Sequence, residues 1–128
     1  MTGNRYDILV AEDEAIIALE LKLLLLHNNF NVVGVVKSGE DLINESRKQH
    51  PDVIITDINL KGELNGIEAA KMINKKFPKT PVIFITGYND EYTHSKAIDA
   101  FSKAYFLKPF NEKALINSVK DCINSSYS

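Results

Sequence analysis

The chain has 128 residues, of which 45% are hydrophobic and 25% charged, and its formal net charge is −2. These values are those of one ordinary globular domain, and the charge gives no broad attraction to nucleic acid or anionic lipid. No apolar run approaches the roughly 20 residues of a membrane span, and one cysteine, Cys122, cannot form an internal disulfide. We therefore expect a cytoplasmic protein.

The first half of the chain alternates short apolar runs with longer helical patterns. Residues 6–11 predict a buried strand, residues 15–28 a helix and residues 31–36 a β-branched second strand. A second helix is predicted over about 38–50, with Ser38 as its N-cap. The apolar residues that give the first helix its period are Ile16, Leu19, Leu23 and Leu26.

The second half continues in the same order. Residues 53–57 predict a third buried strand, and a polar loop with two glycines, Gly62 and Gly66, follows it. The later predicted elements are a helix over 67–77, a strand over 81–86, a helix over 90–100, a strand over 104–108 and a helix over 111–125.

Strand and helix thus alternate five times. Continuous apolar strands separated by helices indicate a parallel sheet covered on both faces. There are too few units for an eight-fold barrel, which leaves a doubly wound α/β fold. We expect a single domain over 1–128, with its core at about 6–123.

Polar residues follow the predicted strands at the sheet edge where open parallel sheets bind ligands. Three carboxylates meeting there would repel one another, so at least one pKa should rise. Carboxylate oxygens in that number suit Mg²⁺. The residues at these strand ends are Glu12 and Asp13 after the first strand, Asp57 after the third, Thr86 and Gly87 after the fourth, and Lys108 after the fifth.

The other residues at this edge suit a phosphoryl group. Lys108 is a point charge fitted to phosphate, and the Thr86 hydroxyl can donate to a phosphoryl oxygen. Gly87 lets a backbone N–H approach closely. A carboxylate nucleophile, a divalent cation, a lysine and a hydroxyl together predict phosphoryl transfer through an acyl phosphate.

These motifs resemble the receiver domain of response regulators in two-component signalling. The resemblance rests on Glu12-Asp13, Asp57, Thr86 and Lys108-Pro109-Phe110, and on the segments 53–60 and 65–68. It covers about 6–123 and implies a flavodoxin-like (βα)5 sheet with strand order 2-1-3-4-5.

The resemblance also implies the chemistry of the site. Asp57 would be the phosphoacceptor, and Lys108 would pair with it and then with the phosphoryl group. Asp13 would bind Mg²⁺ (or Mn²⁺) directly together with Asp57, Glu12 would bind it through water, and the backbone carbonyl of Asn59 would complete the ligands.

Further roles follow from the same resemblance. The backbone of Asn59 and of Gly87 would contact the phosphoryl group, and Thr86 and Tyr105 would form a conformational switch. The Lys108–Pro109 bond would be cis. The output surface would comprise the helix over 90–100, the strand over 104–108 and the last helix.

The implied partners are a sensor histidine kinase or phosphotransfer protein, an unknown downstream protein or output domain, and a second copy in a phosphorylation-dependent homodimer. Neither direct nucleic-acid binding nor membrane contact is expected. The chain would be a signalling domain that assists its own phosphorylation and dephosphorylation, rather than an enzyme. Both a stand-alone regulator and a piece of a longer regulator or hybrid kinase stay open.

The sequence departs from the family pattern at two places. The loop over 60–66 has no proline and one apparent extra residue, so the resemblance does not fix its path. Glu12 stands where many members have Asp. In addition, we expect the bulky Tyr88 to hinder attack by water and to prolong the life of the phosphoryl group.

Three alternatives remain. A pseudo-receiver would keep the fold and act as a protein-binding module without phosphorylation. A flavodoxin-like cofactor binder would need a phosphate cradle after the first strand, where residues 12–14 are instead acidic. An aspartyl phosphatase would place a second Asp two residues after its nucleophile, where this chain has Asn59.

Overall fold

A computed structural model describes residues 5–87 and 102–127. Tyr88 and the helix predicted over 90–100 lie outside these residues. In the described part, every predicted strand and the other four predicted helices are present, with bounds within two residues of the prediction. The elements are β1 (Asp7–Ala11), α1 (Ala15–His27), β2 (Asn31–Val36), α2 (Gly39–Gln49), β3 (Val53–Asp57), α3 (Gly66–Lys76), β4 (Val82–Thr86), β5 (Ser102–Leu107) and α4 (Glu112–Tyr127).

The five strands form one parallel sheet in the order β2-β1-β3-β4-β5, as expected. The chain leaves β1 toward β2 at one edge and leaves β3 toward β4 on the other side. The crevice between the carboxyl ends of β1 and β3 is therefore the point where the direction of winding reverses, and ligands bind at that point in open sheets. This topology places residues 12–13 beside Asp57.

Both faces of the sheet are buried. Ile8, Val10 and Ile55 belong to a core cluster that includes buried residues of α1 and α4. Leu9 and Ile54 point the other way, into a cluster with α2 and α3. Because alternate side chains of each strand enter opposite layers, the strands are apolar at nearly every position, which explains their continuous apolar runs.

Two helices begin at side-chain caps that the sequence encodes. The Ser38 hydroxyl accepts a hydrogen bond from the Asp41 N–H (3.1 Å) and starts α2 as predicted. Before α3, Asn65 and Glu68 form a reciprocal capping box, with backbone-to-side-chain distances of 2.8 and 2.9 Å. This box fixes where the loop after β3 ends.

Helix α1 is apolar on both its inner and its outer side. It buries Ala18, Leu21 and Leu25 against the sheet. The four residues that give it its apolar period instead face outward, so the helix presents an apolar stripe to solvent. The exposed fractions are 76% for Ile16, 56% for Leu19, 56% for Leu23 and 39% for Leu26. Among the described helices, none combines the length and the apolar character needed to cross a bilayer.

Candidate functional site

The three predicted carboxylates converge at the carboxyl ends of β1 and β3. Glu12, Asp13 and Asp57 each offer one oxygen, and these three atoms lie within 4.8 Å of one another. Glu12 is fully buried, Asp57 is 4% exposed and Asp13 is half-buried. Oxygen ligands from carboxylates in such a group suit a hard divalent cation, so the residues present fit Mg²⁺ or Mn²⁺.

Lys108 lies among these acids at the end of β5. Its Nζ is 2.8 Å from Asp57 Oδ2 and 2.7 Å from Glu12 Oε1, and its side chain is only 11% exposed. Its backbone N–H donates to the Thr86 carbonyl (2.8 Å), and the following bond to Pro109 is cis, as expected. The lysine is thus fixed to β4 by its backbone and to two buried carboxylates by its side chain.

Burial dominates the electrostatics of this cluster. Desolvation raises the pKa of Glu12, and the nearby charge of Asp57 adds to the rise, although Lys108 and the Glu14 N–H (2.9 Å) oppose it. Burial alone would lower the pKa of Lys108, but its bonds to Asp57 and Glu12 raise it above its ordinary value. The expected rise in a carboxyl pKa is found, and its main cause is burial rather than repulsion.

Asp57 borders a cavity of about 290 Å³ that contains most of the predicted site. Its Oδ1 accepts a hydrogen bond from the Asn59 N–H (3.1 Å), while its Oδ2 pairs with Lys108. Both carboxylate oxygens are therefore held in a fixed orientation. The residues that line the cavity are Asp13, Glu14, Asp57, Asn59, Gly87 and Lys108.

The two predicted switch residues are not among the residues that line the cavity. Thr86 is fully buried at the end of β4. Tyr105, on β5, is half-buried and packs against the core cluster on the α2 and α3 side. Their positions at the end of β4 and on β5 agree with the prediction, while their roles as a switch remain a prediction.

Sequence reasoning missed two residues of the site. Glu14 lines the cavity with a side chain that is 60% exposed, 3.7 Å from Lys108 Nζ. Gly66 donates its N–H to the Ile58 carbonyl (2.8 Å), and a Cβ there would collide with the backbone carbonyl of Asp57. In the sequence, Glu14 could have been found from the acidic run 12–14, and Gly66 from its position at the start of the helix that follows the loop after Asp57.

Comparison with known proteins identifies the family to which this chain belongs. A doubly wound parallel sheet with the strand order 2-1-3-4-5 is that of a flavodoxin-like α/β domain. The family model of the response regulator receiver domain matches residues 8–120. The chain therefore belongs to the response regulator receiver domains of two-component signalling.

Individual relatives agree with this assignment. The response regulator ArlR of Staphylococcus aureus (strain USA300) is 33% identical over 113 residues, which are 88% of this chain and 50% of that protein. The transcriptional regulatory protein PdtaR of Mycobacterium tuberculosis (strain ATCC 25618 / H37Rv) is 30% identical over 113 residues, 88% of this chain and 54% of that protein. The chain thus spans about half the length of these curated relatives.

Solved structures match over nearly the whole chain. The signal receiver domain of a modulated diguanylate cyclase from Desulfovibrio desulfuricans G20 has a TM-score of 0.90 at 28% identity, covering 97% of this chain and 98% of that one. A response regulator receiver domain protein from Clostridium thermocellum has a TM-score of 0.87 at 27% identity, covering 95% and 97%.

Proposed function

We propose that Asp57 accepts a phosphoryl group from a phosphohistidine on a sensor histidine kinase or phosphotransfer protein. The observation that carries this proposal is the pairing of a nearly buried Asp57 with Lys108 at 2.8 Å, beside two further acids and an open cavity. The domain, which we take to span 1–128, acts as a signalling switch and assists its own phosphorylation and dephosphorylation.

In this reaction a bond forms between a carboxylate oxygen of Asp57 and phosphorus. The phosphorus–nitrogen bond of the donor breaks, and its electron pair stays on the imidazole. The contacts from Asn59 and Lys108 orient the Asp57 carboxylate before attack, and such positioning supplies much of what phosphoryl transfer requires of a protein. Lys108 then pairs with the transferred group.

The acids around Asp57 would hold Mg²⁺ or Mn²⁺. Asp13 and Asp57 would bind the cation directly with the backbone carbonyl of Asn59, and Glu12 would bind it through water. When bound, the cation supplies positive charge that offsets the crowding of the carboxylates and the incoming phosphoryl group. Lys108 is the one cation within 4 Å of Asp57 among the described residues.

The aspartyl phosphate would change the surface of the domain. It adds negative charge and acceptor oxygens, which the Lys108 ammonium and the backbone at Gly87 and Asn59 would contact. Thr86 would turn toward the new group and Tyr105 would move inward after it. The resulting shift of a two-state equilibrium would alter the face that includes β5 and α4, for a downstream protein, an output domain or a second copy.

The exposed stripe of α1 suits the protein donor. Asp57 and Glu14, the residue before α1, line the same cavity, so a donor that reaches Asp57 approaches beside the start of α1. Exposed apolar surface rimmed by polar residues marks interaction sites. We assign the stripe Ile16, Leu19, Leu23 and Leu26 to donor docking.

Intact mass spectrometry tests the proposal. Incubation with a small-molecule phosphodonor and Mg²⁺ should add one phosphoryl group to the native chain. The addition should be absent without a divalent cation and absent in Asp57→Asn. No added mass with small-molecule or phosphohistidine donors would instead favour the pseudo-receiver, which keeps the fold and binds proteins without phosphorylation.

A further inference from the structure

The loop between β3 and α3 (residues 58–65) is fastened to the end of β2 and the start of α2. The Lys61 N–H donates to the Lys37 carbonyl (3.0 Å), and Ser38 and Lys61 form a parallel bridge. This contact is a single parallel β-bridge just beyond the end of β2. It joins the segment that follows Asp57 to a neighbouring part of the chain about 23 residues earlier.

Glu40, in the first turn of α2, provides a second attachment. Its Oε2 accepts the Glu63 N–H (3.2 Å), and its Oε1 is buried with no hydrogen-bond donor among the described residues. Gly62 has φ +91°, and a Cβ there would lie 2.6 Å from that Oε1. The loop therefore lies against the Glu40 carboxylate, and the positive φ at 62 disfavours any residue with a side chain there. The N-terminal end of α2 favours the negative charge.

The far end of the loop is held directly at the phosphoacceptor. Gly66 bonds to the Ile58 carbonyl and packs against the backbone of Asp57. Asn59 therefore lies between two fixed points, Asp57 and the Lys61 bridge. The Asn59 N–H donates a hydrogen bond to Asp57 Oδ1, and Asn59 also lines the cavity. The geometry of Asn59 depends on attachments made outside the cavity.

We propose that Glu40 is a positioning residue for this site. Its carboxylate holds the β3–α3 loop so that the Asn59 carbonyl keeps its place as a ligand for the divalent cation. Glu40 touches neither the cation nor the phosphoryl group and acts only through the Glu63 N–H. The inference rests on the proposed function, because it assigns a supporting role to a contact outside the cavity.

Calorimetric titration of Mg²⁺ into three variants tests this role. Glu40→Ala removes the acceptor and should raise the Mg²⁺ Kd by about 3- to 10-fold, less than the roughly 10- to 100-fold typical of groups that contact a metal ligand directly. Glu40→Gln keeps an acceptor oxygen and should restore a Kd near the native one. Asp41→Ala removes an exposed acid from the same helical turn and should leave the Kd unchanged.

Hydrogen exchange provides a readout independent of the cation. In the Mg²⁺-free protein, Glu40→Ala should speed amide exchange in peptides covering 58–64, while Asp41→Ala should not. All of the titrations are made well below the melting temperature, where a loss of stability alone does not change the Kd of folded protein.

Four results would overturn the inference. A native Mg²⁺ Kd in Glu40→Ala would exclude a positioning role for Glu40. An equal rise of the Mg²⁺ Kd in Asp41→Ala would show that the effect comes from losing any negative charge in the first turn of α2. A Glu40→Gln variant that behaves like Glu40→Ala would exclude the hydrogen bond as the cause. A native chain that binds no Mg²⁺ would overturn the proposed cation site and this inference together, whereas the other results leave the proposed function intact.

Discussion

Lys108 is a positive charge shared by three carboxylates of the site. It contacts Asp57 and Glu12 at 2.8 and 2.7 Å and lies 3.7 Å from Glu14. Buried charges are tolerated when they are paired, and a single ammonium shared by several carboxylates leaves negative charge uncompensated. The site is therefore prepared for a further cation, which is the physical basis of the proposed Mg²⁺ dependence.

The raised pKa of Glu12 predicts a pH dependence of cation binding. Burial, followed by the nearby charge of Asp57, raises the pKa of Glu12 above its ordinary value of 4.5, so Glu12 binds a proton at a higher pH than a free carboxylate does. Mg²⁺ favours the ionised form, so the Mg²⁺ Kd should rise as pH falls through the raised pKa and should level off above it. Titration calorimetry over a pH series that starts at the ordinary carboxyl value of 4.5 and extends upward should show this step in the native chain and lose it in Glu12→Gln. A Kd with the same pH profile in both proteins would contradict the assignment.

At the scale of single residues, the charged residues of the site could be predicted from the sequence, but the contacts between them could not. Glu12, Asp13, Asp57 and Lys108 follow strands whose apolar runs are unambiguous, so the edge they share could be derived. The Lys108 contact with Glu12 joins residues 96 positions apart, and no local pattern encodes it. Glu14 was overlooked because an exposed acid at a helix start is ordinary.

At the scale of elements, α1 shows why a helix is easier to predict than its orientation. Its apolar residues extend nearly all round, so the spacing indicates a helix without indicating which side packs on the sheet. The buried side proved to be Ala18, Leu21 and Leu25, and the larger leucine and isoleucine stripe stays exposed. The β3–α3 loop was likewise unpredictable, because its conformation depends on Glu40, 23 residues from Glu63.

The exposed stripe gives a prediction for partner recognition. Leu23→Glu should slow phosphorylation by a protein donor by about 10-fold or more, as expected when an apolar contact worth about 1–2 kcal/mol is replaced by a charge. Phosphorylation by a small-molecule donor should be unchanged, because Leu23 is 56% exposed and lies outside the cavity lining. Met72→Glu on α3, at a residue 47% exposed, is the matched control and should affect neither rate. Equal effects on both donors would refute docking on α1.

At the scale of the whole molecule, the fold brings together residues from β1, β3 and β5 at one edge. The doubly wound order could be predicted because continuous apolar strands alternating with helices leave few topologies. The chain spans about half the length of its curated relatives.

Cation binding should stabilise the entire domain. Because Mg²⁺ would bind the folded site and not the unfolded chain, a free concentration tenfold above Kd should raise the free energy of unfolding by about 1.4 kcal/mol. Thermal denaturation with and without Mg²⁺ should show the corresponding rise in Tm. Asp13→Asn, which removes a proposed direct ligand, should lose most of this response. An undiminished rise in that variant would place the stabilising cation elsewhere.

Chemical mapping of the acceptor shows whether Asp57 carries the phosphoryl group. The chain is phosphorylated with a small-molecule donor and Mg²⁺, treated with borohydride to reduce an acyl phosphate to the alcohol, digested and sequenced by mass spectrometry. We expect homoserine in place of aspartate at position 57, and none in an unphosphorylated control. Homoserine at another acidic residue, or none after phosphorylation by any donor, would contradict the proposed role of Asp57.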